Sequence, residues 1–513
     1  MGNPSNNESV SRESSSSESV LLQKNDKRSF GRDVSKLVSG TVIAQIIGFC
    51  LYPIITRLFN PEIYGVYTLI LSIVSIVTVI GCFRYEVALV LPEKDKDASS
   101  LLFACIFILL AVCLLCGVII TIFGSEIGVI LNAPEICEYL WIVPVILFVS
   151  CFYTALRYWN TRKKRFGMQA ATQVSQTLVS SGLQVGLGTV GFISPGSLLY
   201  ANIFGNLTGT VLLLFSIAKR DIQVLLSGLS LSNIKMQIIR YKKFPLIDSW
   251  ANLLNNLSWQ VPTLLLSAFF SPAVTAFYSL GLMLLQTPMS LIGSSLGQVY
   301  FQRGAEEHRN GSLHLLLEDV TEMLLVLSIV PLALLLTMGG SMFGVVFGSD
   351  WTEAGVYCQI LAVWAFVWFL ISTTGGTTFS IVEKQELNMR FSVINLIARV
   401  AALVIGGVMH SVYLAIGLFA FAGVITYLYC IYLAFRETRA SFIRVLKNSK
   451  MMFLFTIVIV GVTIVLNYIF HISGLVLIII SVVICLIYYP TLYRSSSVLR
   501  KYFSLPFLGK KSQ

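Results

Sequence analysis

Charged residues are scarce in this sequence. Of its 513 residues, 12% are Asp, Glu, Lys or Arg, whereas 56% are hydrophobic. A soluble globular domain carries about 25% charged residues, so the composition excludes a water-soluble protein. Long apolar stretches recur along the chain instead. They predict a multi-pass membrane protein of the all-α class.

Several patterns that would indicate enzyme chemistry are also missing. The phosphate-binding sequence GxxxxGK[ST] does not occur, and no soluble stretch is long enough for an ATPase domain. The four histidines lack metal-ligand spacing, so no metal or other cofactor is predicted. The ten cysteines lie mostly within apolar stretches, where we interpret them as core residues. Cys137 and Cys358 lie near predicted external connections, where the two could form a disulfide.

Fourteen apolar stretches predict fourteen transmembrane helices, since each approaches or exceeds the roughly 20 residues that a spanning helix needs. They lie near residues 35–57, 63–90, 98–123, 139–160, 168–190, 196–218, 246–270, 274–300, 315–338, 355–380, 390–410, 412–435, 450–470 and 474–493. Lys and Arg gather after the even-numbered spans, and the opposite connections contain none. The positive-inside rule therefore predicts a cytoplasmic-membrane protein with both termini in the cytoplasm, and it accounts for the net charge of +11 without nucleic-acid binding.

The spans are predicted to form two six-helix lobes followed by two further helices. The predicted divisions are a disordered cytoplasmic tail (1–33), an N-terminal lobe (34–218), a basic cytoplasmic linker (219–243), a C-terminal lobe (244–436), a loop with the last two helices (437–494) and a basic cytoplasmic tail (495–513). A weak repeat supports the lobes, because NPEIYGVYTL from Asn60 aligns with SPAVTAFYSL from Ser271 at an offset of 211 residues. An even number of helices gives both lobes one orientation, which is the parallel-repeat plan of transporters.

The linker between the lobes contains SLSNIKMQIIRYKKF, in which isoleucines alternate with basic residues. A helix lying on the anionic inner leaflet and a plain solvated linker both fit this pattern.

A row of polar side chains marks the seventh span. In DSWANLLNNLSWQ, which runs from Asp248 to Gln260, helical spacing places Asn252, Asn255 and Asn256 along the same side as these two residues. Such a row should face other helices or a wet cavity rather than lipid. We interpret the four amides as candidate substrate-binding residues. Asp248 could bind a coupling proton or cation, or be an interfacial carboxylate at the inner end of the span.

Arg399 is the deepest charge in the predicted spans. It lies about nine residues, or roughly 13 Å, inside its span, with Asn395 about one turn before it. An unpaired arginine near mid-bilayer costs at least about 2.5–3.5 kcal/mol. A carboxylate, water or an anionic substrate must offset that cost. A contact to a substrate phosphate and a structural ion pair or packing hydrogen bond are both open.

Other polar side chains give candidates of the same kind. Arg84 could enter the inner mouth of a cavity or reach the headgroups, and Glu86 is not expected to pair with it at a spacing of two residues. Arg57, at an external end, could meet a phosphate or anchor at the interface. Gln173 and Gln176 belong to a second polar row in the fifth span, which predicts either a hydrophilic path for sugar hydroxyls or interhelical hydrogen bonds.

Two motifs resemble those of the polysaccharide export proteins, the Wzx-type flippases of lipid-linked oligosaccharides. These are TRLFNPEIYGVY at Thr56–Tyr67 and FRYEVALVLP at Phe83–Pro92, and the similarity covers residues 35 to about 440. The resemblance implies a superfamily that also holds multidrug exporters and MurJ-like flippases. It implies movement of a polyprenyl-pyrophosphate-linked oligosaccharide, with cationic residues such as Arg57 and Arg84 holding the pyrophosphate in a central cavity. The 33-residue N-terminal tail is longer than is usual in the family.

We therefore expect a flippase that works by alternating access and is not an enzyme. Its expected partners are the glycan substrate and membrane lipid, with a polysaccharide polymerase and a chain-length regulator as further candidates. A cation-coupled multidrug exporter of the same superfamily is the first alternative, and it would need acidic residues deep in the cavity. A membrane-embedded glycan polymerase or ligase would need a sizeable external loop, and a glycosyltransferase scaffold would not need polar rows within the bilayer.

Overall fold

The computed structural model describes residues 39–469, 473–495 and 500, and this part of the chain consists of helices and their connections. The predicted tail 1–33 and most of 495–513 lie outside the described residues. The helices are α1 (Ser39–Leu58), α2 (Pro61–Gly81), α3 (Tyr85–Ala88), α4 (Asp95–Ile130), α5 (Val143–Arg162), α6 (Phe166–Thr189), α7 (Pro195–Ser227), α8 (Leu231–Arg240), α9 (Ser249–Phe269), α10 (Pro272–Arg309), α11 (Leu313–Phe347), α12 (Thr352–Ser372), α13 (Gly375–Ile381), α14 (Gln385–Val408), α15 (Val412–Thr438), α16 (Phe442–Asn448), α17 (Lys450–Ile464) and α18 (Gly474–Ser495).

Each of the fourteen predicted spans overlaps a helix of at least 15 residues. Within the described residues, 11 helices are long and apolar enough to cross a membrane, so the protein is a multi-pass membrane protein. α6, α9 and α10 are not among these 11, and α6 and α9 are the helices with the two polar rows. Their lengths of 24, 21 and 38 residues permit a crossing, which stays a prediction.

α2 ends earlier than the sequence predicts. The predicted second span runs to residue 90, but α2 stops at Gly81. Phe83 and Arg84 then have φ of 47° and 62°, in the left-handed region that non-glycine residues rarely adopt. The chain forms only the four-residue α3 before α4 begins. Arg84 therefore lies in a connection outside the long helix, where its side chain can turn toward the second lobe.

The linker between the lobes is largely helical. α7 continues past the predicted boundary at residue 218 to Ser227, and α8 then turns by 87° from it. The ten residues of α8 are too few to cross a bilayer. Leu231, Met236 and Ile239 are exposed on α8 together with Lys235 and Arg240. This geometry favours the amphipathic surface helix over a plain linker, and its contact with lipid stays a prediction.

The repeat noted in the sequence recurs in the local structure of α2 and α10. Asn60 caps α2 by accepting a hydrogen bond from the Ile63 amide, and Ser271 caps α10 by accepting one from the Val274 amide. Both pairs keep the offset of 211 residues. The two helix starts also touch, since a Cβ added to Gly65 would lie 2.0 Å from the Pro272 carbonyl oxygen. Only glycine permits this approach of the two lobes.

The last two helices are bound along α11. Four polar contacts join α11 to the segment that runs from α16 to the turn after α17. Each is between residues 126 positions apart: Glu318 with Arg444 (2.8 Å), Glu322 with Asn448 (2.8 Å), Thr337 with Thr463 (3.0 Å) and Ser341 with Asn467 (2.9 Å). A constant offset means that the two segments run parallel. α18 packs beside them and leaves an apolar groove of about 530 Å³ against α11, between Leu335 and Leu486.

The disulfide considered between Cys137 and Cys358 is wrong, because all ten cysteines are free. Cys137 lies in the turn between α4 and α5 and donates to the Gly124 carbonyl oxygen. Cys358 is completely buried within α12, where it packs toward Gly281 of α10. Its position inside a helix bundle, rather than in the external connection, keeps the two sulfurs apart.

Candidate functional site between the lobes

Arg84 and Asp248 form an ion pair between the two lobes. Arg84 Nε donates to Asp248 Oδ2 at 2.9 Å, and the Asn252 amide donates to Asp248 Oδ1 at 3.1 Å. Arg84 follows α2, and Asp248 directly precedes α9. The side chains are 26% and 40% exposed, so the pair is accessible to water at the predicted cytoplasmic end. In this conformation Arg84 holds the lobes together rather than reaching for headgroups.

Glu86 is a second acidic neighbour of Arg84, contrary to the expectation from sequence. Arg84 Nη1 lies 3.9 Å from Glu86 Oε1, because the left-handed backbone at Arg84 removes the helical geometry that would separate the two side chains. Glu86 is buried, and its Oε2 has no hydrogen-bond partner. Burial raises the pKa of this carboxyl group, and a backbone hydrogen bond and nearby Arg84 only partly counter the shift.

Further along α9, the polar row faces α2. The side chains of Asn256 and Gln260 both reach the Ser75 hydroxyl, at 3.3 Å and 3.2 Å. Asp248, Asn252, Asn256 and Gln260 therefore share the face at a spacing of four residues. Together with Arg84 and Ser75 we call them the α2–α9 seam. Asn255 is exposed and lies outside this seam.

The predicted external end is closed by a separate set of contacts. Arg57 Nη2 donates to the Val345 carbonyl oxygen at 2.5 Å, and Trp351 Nε1 donates to the Thr56 carbonyl oxygen at 2.7 Å. The first bond joins the end of α1 to the last turn of α11, and the second joins it to the connection between α11 and α12. Asn132, after α4, also donates to the carbonyl of Phe270, after α9, at 2.6 Å. Arg57 is thus a contact between lobes in this conformation. We call these three bonds the external clamp.

A cavity of about 280 Å³ lies between α1 and α10, one helix from each lobe. It is lined by Gln45, Gly48, Phe49, Tyr52, Met283, Gln286 and Thr287. Drug-sized ligands occupy pockets of about 300–1,000 Å³. An oligosaccharide lipid is larger still, so the lobes must move apart before such a molecule could enter.

The second polar row, on α6, makes interhelical hydrogen bonds. Gln173 accepts from the Thr41 hydroxyl on α1 at 3.0 Å, and Gln176 donates to Asn206 on α7. Both glutamines are half-buried. This arrangement favours the packing interpretation over a hydrophilic path, because the amides already have partners within the N-terminal lobe.

Arg399 is buried in the C-terminal lobe, with only 2% of its surface exposed. Its guanidinium carbon lies over four aromatic rings, at 4.7 Å from Trp364, 4.9 Å from Phe419, 5.4 Å from Trp259 and 5.7 Å from Tyr427. We call these rings the aromatic cage. In the part of the chain that the structure describes, no carboxylate lies within 4.0 Å of it. Arg399 therefore does not open to the inter-lobe cavity in this conformation.

Asn395, one turn before Arg399, is also buried, and its Oδ1 accepts a hydrogen bond from Thr426 of α15 at 2.9 Å. Its predicted role in substrate binding thus requires that this bond be exchanged. Among the described residues, no group of three or more His, Cys, Asp or Glu side chains could hold a metal ion.

The sequence does not mark Ser75 or three rings of the aromatic cage, Trp364, Phe419 and Tyr427, all of which belong to this site. Trp364 and Trp368 are spaced like neighbours on a helix face, and their rings stack at 5.4 Å. Two tryptophans four residues apart in an apolar span are the pattern in the sequence that could have indicated an aromatic cluster. Ser75 gave no signal, since single serines are common in membrane helices.

Comparison with known proteins gives one family match and a shared fold. A family model described as polysaccharide biosynthesis protein matches residues 54–356. The lipid II flippase MurJ, in an inward closed conformation, superposes with a TM-score of 0.68 at 14% identity, over 89% of this chain and 98% of that one. At this identity the match shows a shared fold. No curated protein sequence matches the chain.

Two transporters of the MATE family are more distant. An inward-facing member of the MOP superfamily gives a TM-score of 0.48 at 15% identity, over 79% of this chain and 96% of that one. A MATE transporter from Vibrio cholerae gives 0.49 at 12% identity, over 80% and 96%.

Proposed function

Because this chain belongs to the polysaccharide biosynthesis protein family, we propose that it moves a polyprenyl-pyrophosphate-linked oligosaccharide across the cytoplasmic membrane for surface polysaccharide synthesis. The protein is a multi-pass membrane protein with the MurJ fold. One observation carries the proposal: the lobes are joined at both ends of the same interface by different polar contacts. Such paired closures are what alternating access requires, because each end must open while the other stays shut.

The α2–α9 seam and the external clamp are the two closures. The seam rests on an ion pair that water can reach, so a charged substrate could compete for Arg84. In the external clamp the Arg57 and Trp351 side chains donate to backbone carbonyl oxygens, and a substrate would have to replace these acceptors to open it. Opening the seam would admit the substrate from the cytoplasm. Opening the clamp would then release it on the other side.

The substrate's chemistry fits the groups that these closures would free. Guanidinium forks match phosphate oxygens, which suits Arg84 on entry and Arg57 on exit for the pyrophosphate. The amides of Asn252, Asn256 and Gln260 can donate to and accept from sugar hydroxyls. The polyprenyl chain would stay in lipid. A polymerase and a chain-length regulator that act on the same glycan would be partners at the outer face, with both termini of this protein in the cytoplasm.

The multidrug exporter alternative makes a different demand on the interface. Cation coupling needs a carboxylate that can exchange ions within the bilayer. The buried carboxylates among the described residues are Glu86, Asp221, Glu318 and Glu322, and all lie near predicted cytoplasmic helix ends. Asp248 is the one acid in the seam, and it is engaged by Arg84.

The first experiment is to delete the gene and extract lipid-linked oligosaccharides. We expect these lipids to accumulate facing the cytoplasm while surface polysaccharide disappears, with recovery on re-expression. Intact surface glycan together with raised drug sensitivity would replace this proposal with the exporter. Unpolymerised glycan on the outer face would point to a polymerase or ligase instead.

A further inference from the structure

The four aromatic rings stabilise the positive charge of Arg399 but leave part of its hydrogen-bonding capacity unused. A desolvated cation–π contact is worth up to about 2 kcal/mol, so four rings can offset the cost of burying the guanidinium. Rings do not accept hydrogen bonds well, and Nε and Nη2 of Arg399 are buried without a hydrogen-bond partner. Trp364 Nε1, on the closest ring of the cage, is also buried without one.

These orphaned atoms share one property, because each is a hydrogen-bond donor. Buried donors in folded proteins are almost always paired, so each exception needs an explanation. Here the donors accompany a fixed positive charge. The group that complements the two guanidinium donors is an anion with several acceptor oxygens. A metal ion or an organic cation would be repelled.

Trp259 is the most exposed ring of the aromatic cage. Trp364, Phe419 and Tyr427 are buried on α12 and α15, whereas Trp259 is only half-buried and lies on α9. The residues on either side of its turn, Asn256 and Gln260, bond Ser75 of the other lobe. α9 therefore contacts the N-terminal lobe with one face and covers Arg399 with another.

We infer that Arg399 is an occluded binding site for a phosphate-bearing anion, which Trp259 covers while the α2–α9 seam is closed and uncovers when α9 shifts. The inference deepens the proposed function, on which it rests, because the substrate's pyrophosphate is the expected occupant. Arg84 would meet this group at the entrance. Arg399 would receive it next, inside the C-terminal lobe, and the site would be inaccessible to it before the seam opens.

Accessibility of Arg399 can be measured on the full-length protein with phenylglyoxal, which modifies arginine, followed by mass spectrometry of the two arginine peptides of α14. Arg390, exposed in the second turn of the same helix, is the matched internal control. In the wild type we expect Arg399 to react far more slowly than Arg390. In Trp259→Ala it should react roughly tenfold to thirtyfold faster than in the wild type, the effect of losing one desolvated cation–π contact.

A matched control variant distinguishes the effect of Trp259 from the effect of losing any neighbouring tryptophan. Trp368→Ala removes a ring that lies 5.2 Å from Trp259 but is not among the rings over Arg399. Arg399 should keep its slow reaction in this variant. Two results would contradict a covering role for Trp259. One is an equal rate of modification of Arg399 and Arg390 in the wild type, and the other is equal acceleration at Arg399 in both tryptophan variants.

The ligand class is tested by adding inorganic pyrophosphate or farnesyl pyrophosphate to Trp259→Ala during modification. Protection of Arg399 by both probes supports a site for the shared anion, and protection by farnesyl pyrophosphate alone supports a lipid-linked one. Protection by neither probe overturns the site. If gene deletion accumulates lipid-linked glycan but folded Arg399→Gln protein restores the surface glycan fully, this inference fails and the proposed function stands. If deletion causes no accumulation, the proposed function fails whatever the labelling shows.

Discussion

Arg84 Nε lies 2.9 Å from Asp248 Oδ2, and this single ion pair joins the connection after α2 to the start of α9. Partly exposed pairs of this kind contribute about 0.2–1 kcal/mol. A free energy at the upper end of this range changes the population of the open seam severalfold. It is also small enough for a competing charged ligand to offset. A weak bond at this position would suit the alternating access proposed above, in which the seam opens repeatedly.

Charge reversal tests the pair directly. Arg84→Asp and Asp248→Arg should each loosen the seam, because two like charges then face each other, and the double variant should recover. The shift expected in either single variant is about two- to fivefold in the exchange-competent population. Hydrogen–deuterium exchange of the first turns of α9 measures it. A double variant no better than the single ones would mean that the two side chains do not act as a pair.

Gly65 permits a close approach of α2 to the start of α10, so enlarging it should force the lobes apart. A Cβ there would lie 2.0 Å from a backbone oxygen, which cannot yield as a flexible side chain would. We expect Gly65→Ala to destabilise the closed form by about 1–3 kcal/mol. Gly182→Ala on α6 is the control, since nothing lies within 4 Å of its added Cβ. Melting temperatures of the purified variants distinguish the two, and similar values for both would contradict the contact.

Glu86 should make stability depend on pH. Burial raises its pKa above the ordinary value of 4.5, so the folded protein holds a proton that the unfolded chain releases. The stabilisation is complete below the ordinary pKa and is lost as the pH rises through the raised one. In Glu86→Gln this loss should disappear. Melting temperature against pH, as the difference between wild type and variant, measures it; a constant difference would exclude this role for Glu86.

Glu318 anchors the segment after α15 to α11. It accepts hydrogen bonds from the Ser441 amide at 2.7 Å and from Arg444 at 2.8 Å. Glu318→Gln should destabilise the protein by about 1–3 kcal/mol, because a buried charge-assisted bond is lost. Glu386→Gln, at an exposed site in α14, serves as the control. Membrane protein level and melting temperature are the measurements, and equal behaviour of the two variants would contradict the anchor.

Periodicity predicted the helices well, because a spanning helix satisfies its own backbone and leaves its signal in one continuous stretch. The end of α2 was missed for a local reason: left-handed φ values at Phe83 and Arg84 interrupt a sequence that still reads as apolar. The same interruption brought Arg84 near Glu86, which a regular helix would have separated.

The sequence predicts which kinds of residue form the candidate site but not which of them touch each other. Depth in a span marked Arg399 as a charge that needs compensation, but its rings come from three other helices, and no spacing within α14 reveals them. The sequence predicts a single polar row on α9. In the structure only part of that row faces α2, because Asn256 and Gln260 bond Ser75 while Asn255 is exposed. Trp259, on the same helix, lies against Arg399. Which helix faces which partner is decided by packing between segments distant in sequence.

The four contacts spaced 126 residues apart have a mechanical consequence. On α11 they extend from Glu318, near its first residue, to Ser341, near its last. A shift or tilt of α11 would therefore break these contacts unless α16 and α17 moved with it. The final helices are thereby a rigid extension of the C-terminal lobe. In the alternating access proposed above, the apolar groove between α11 and α18 would move through the surrounding lipid together with the C-terminal lobe.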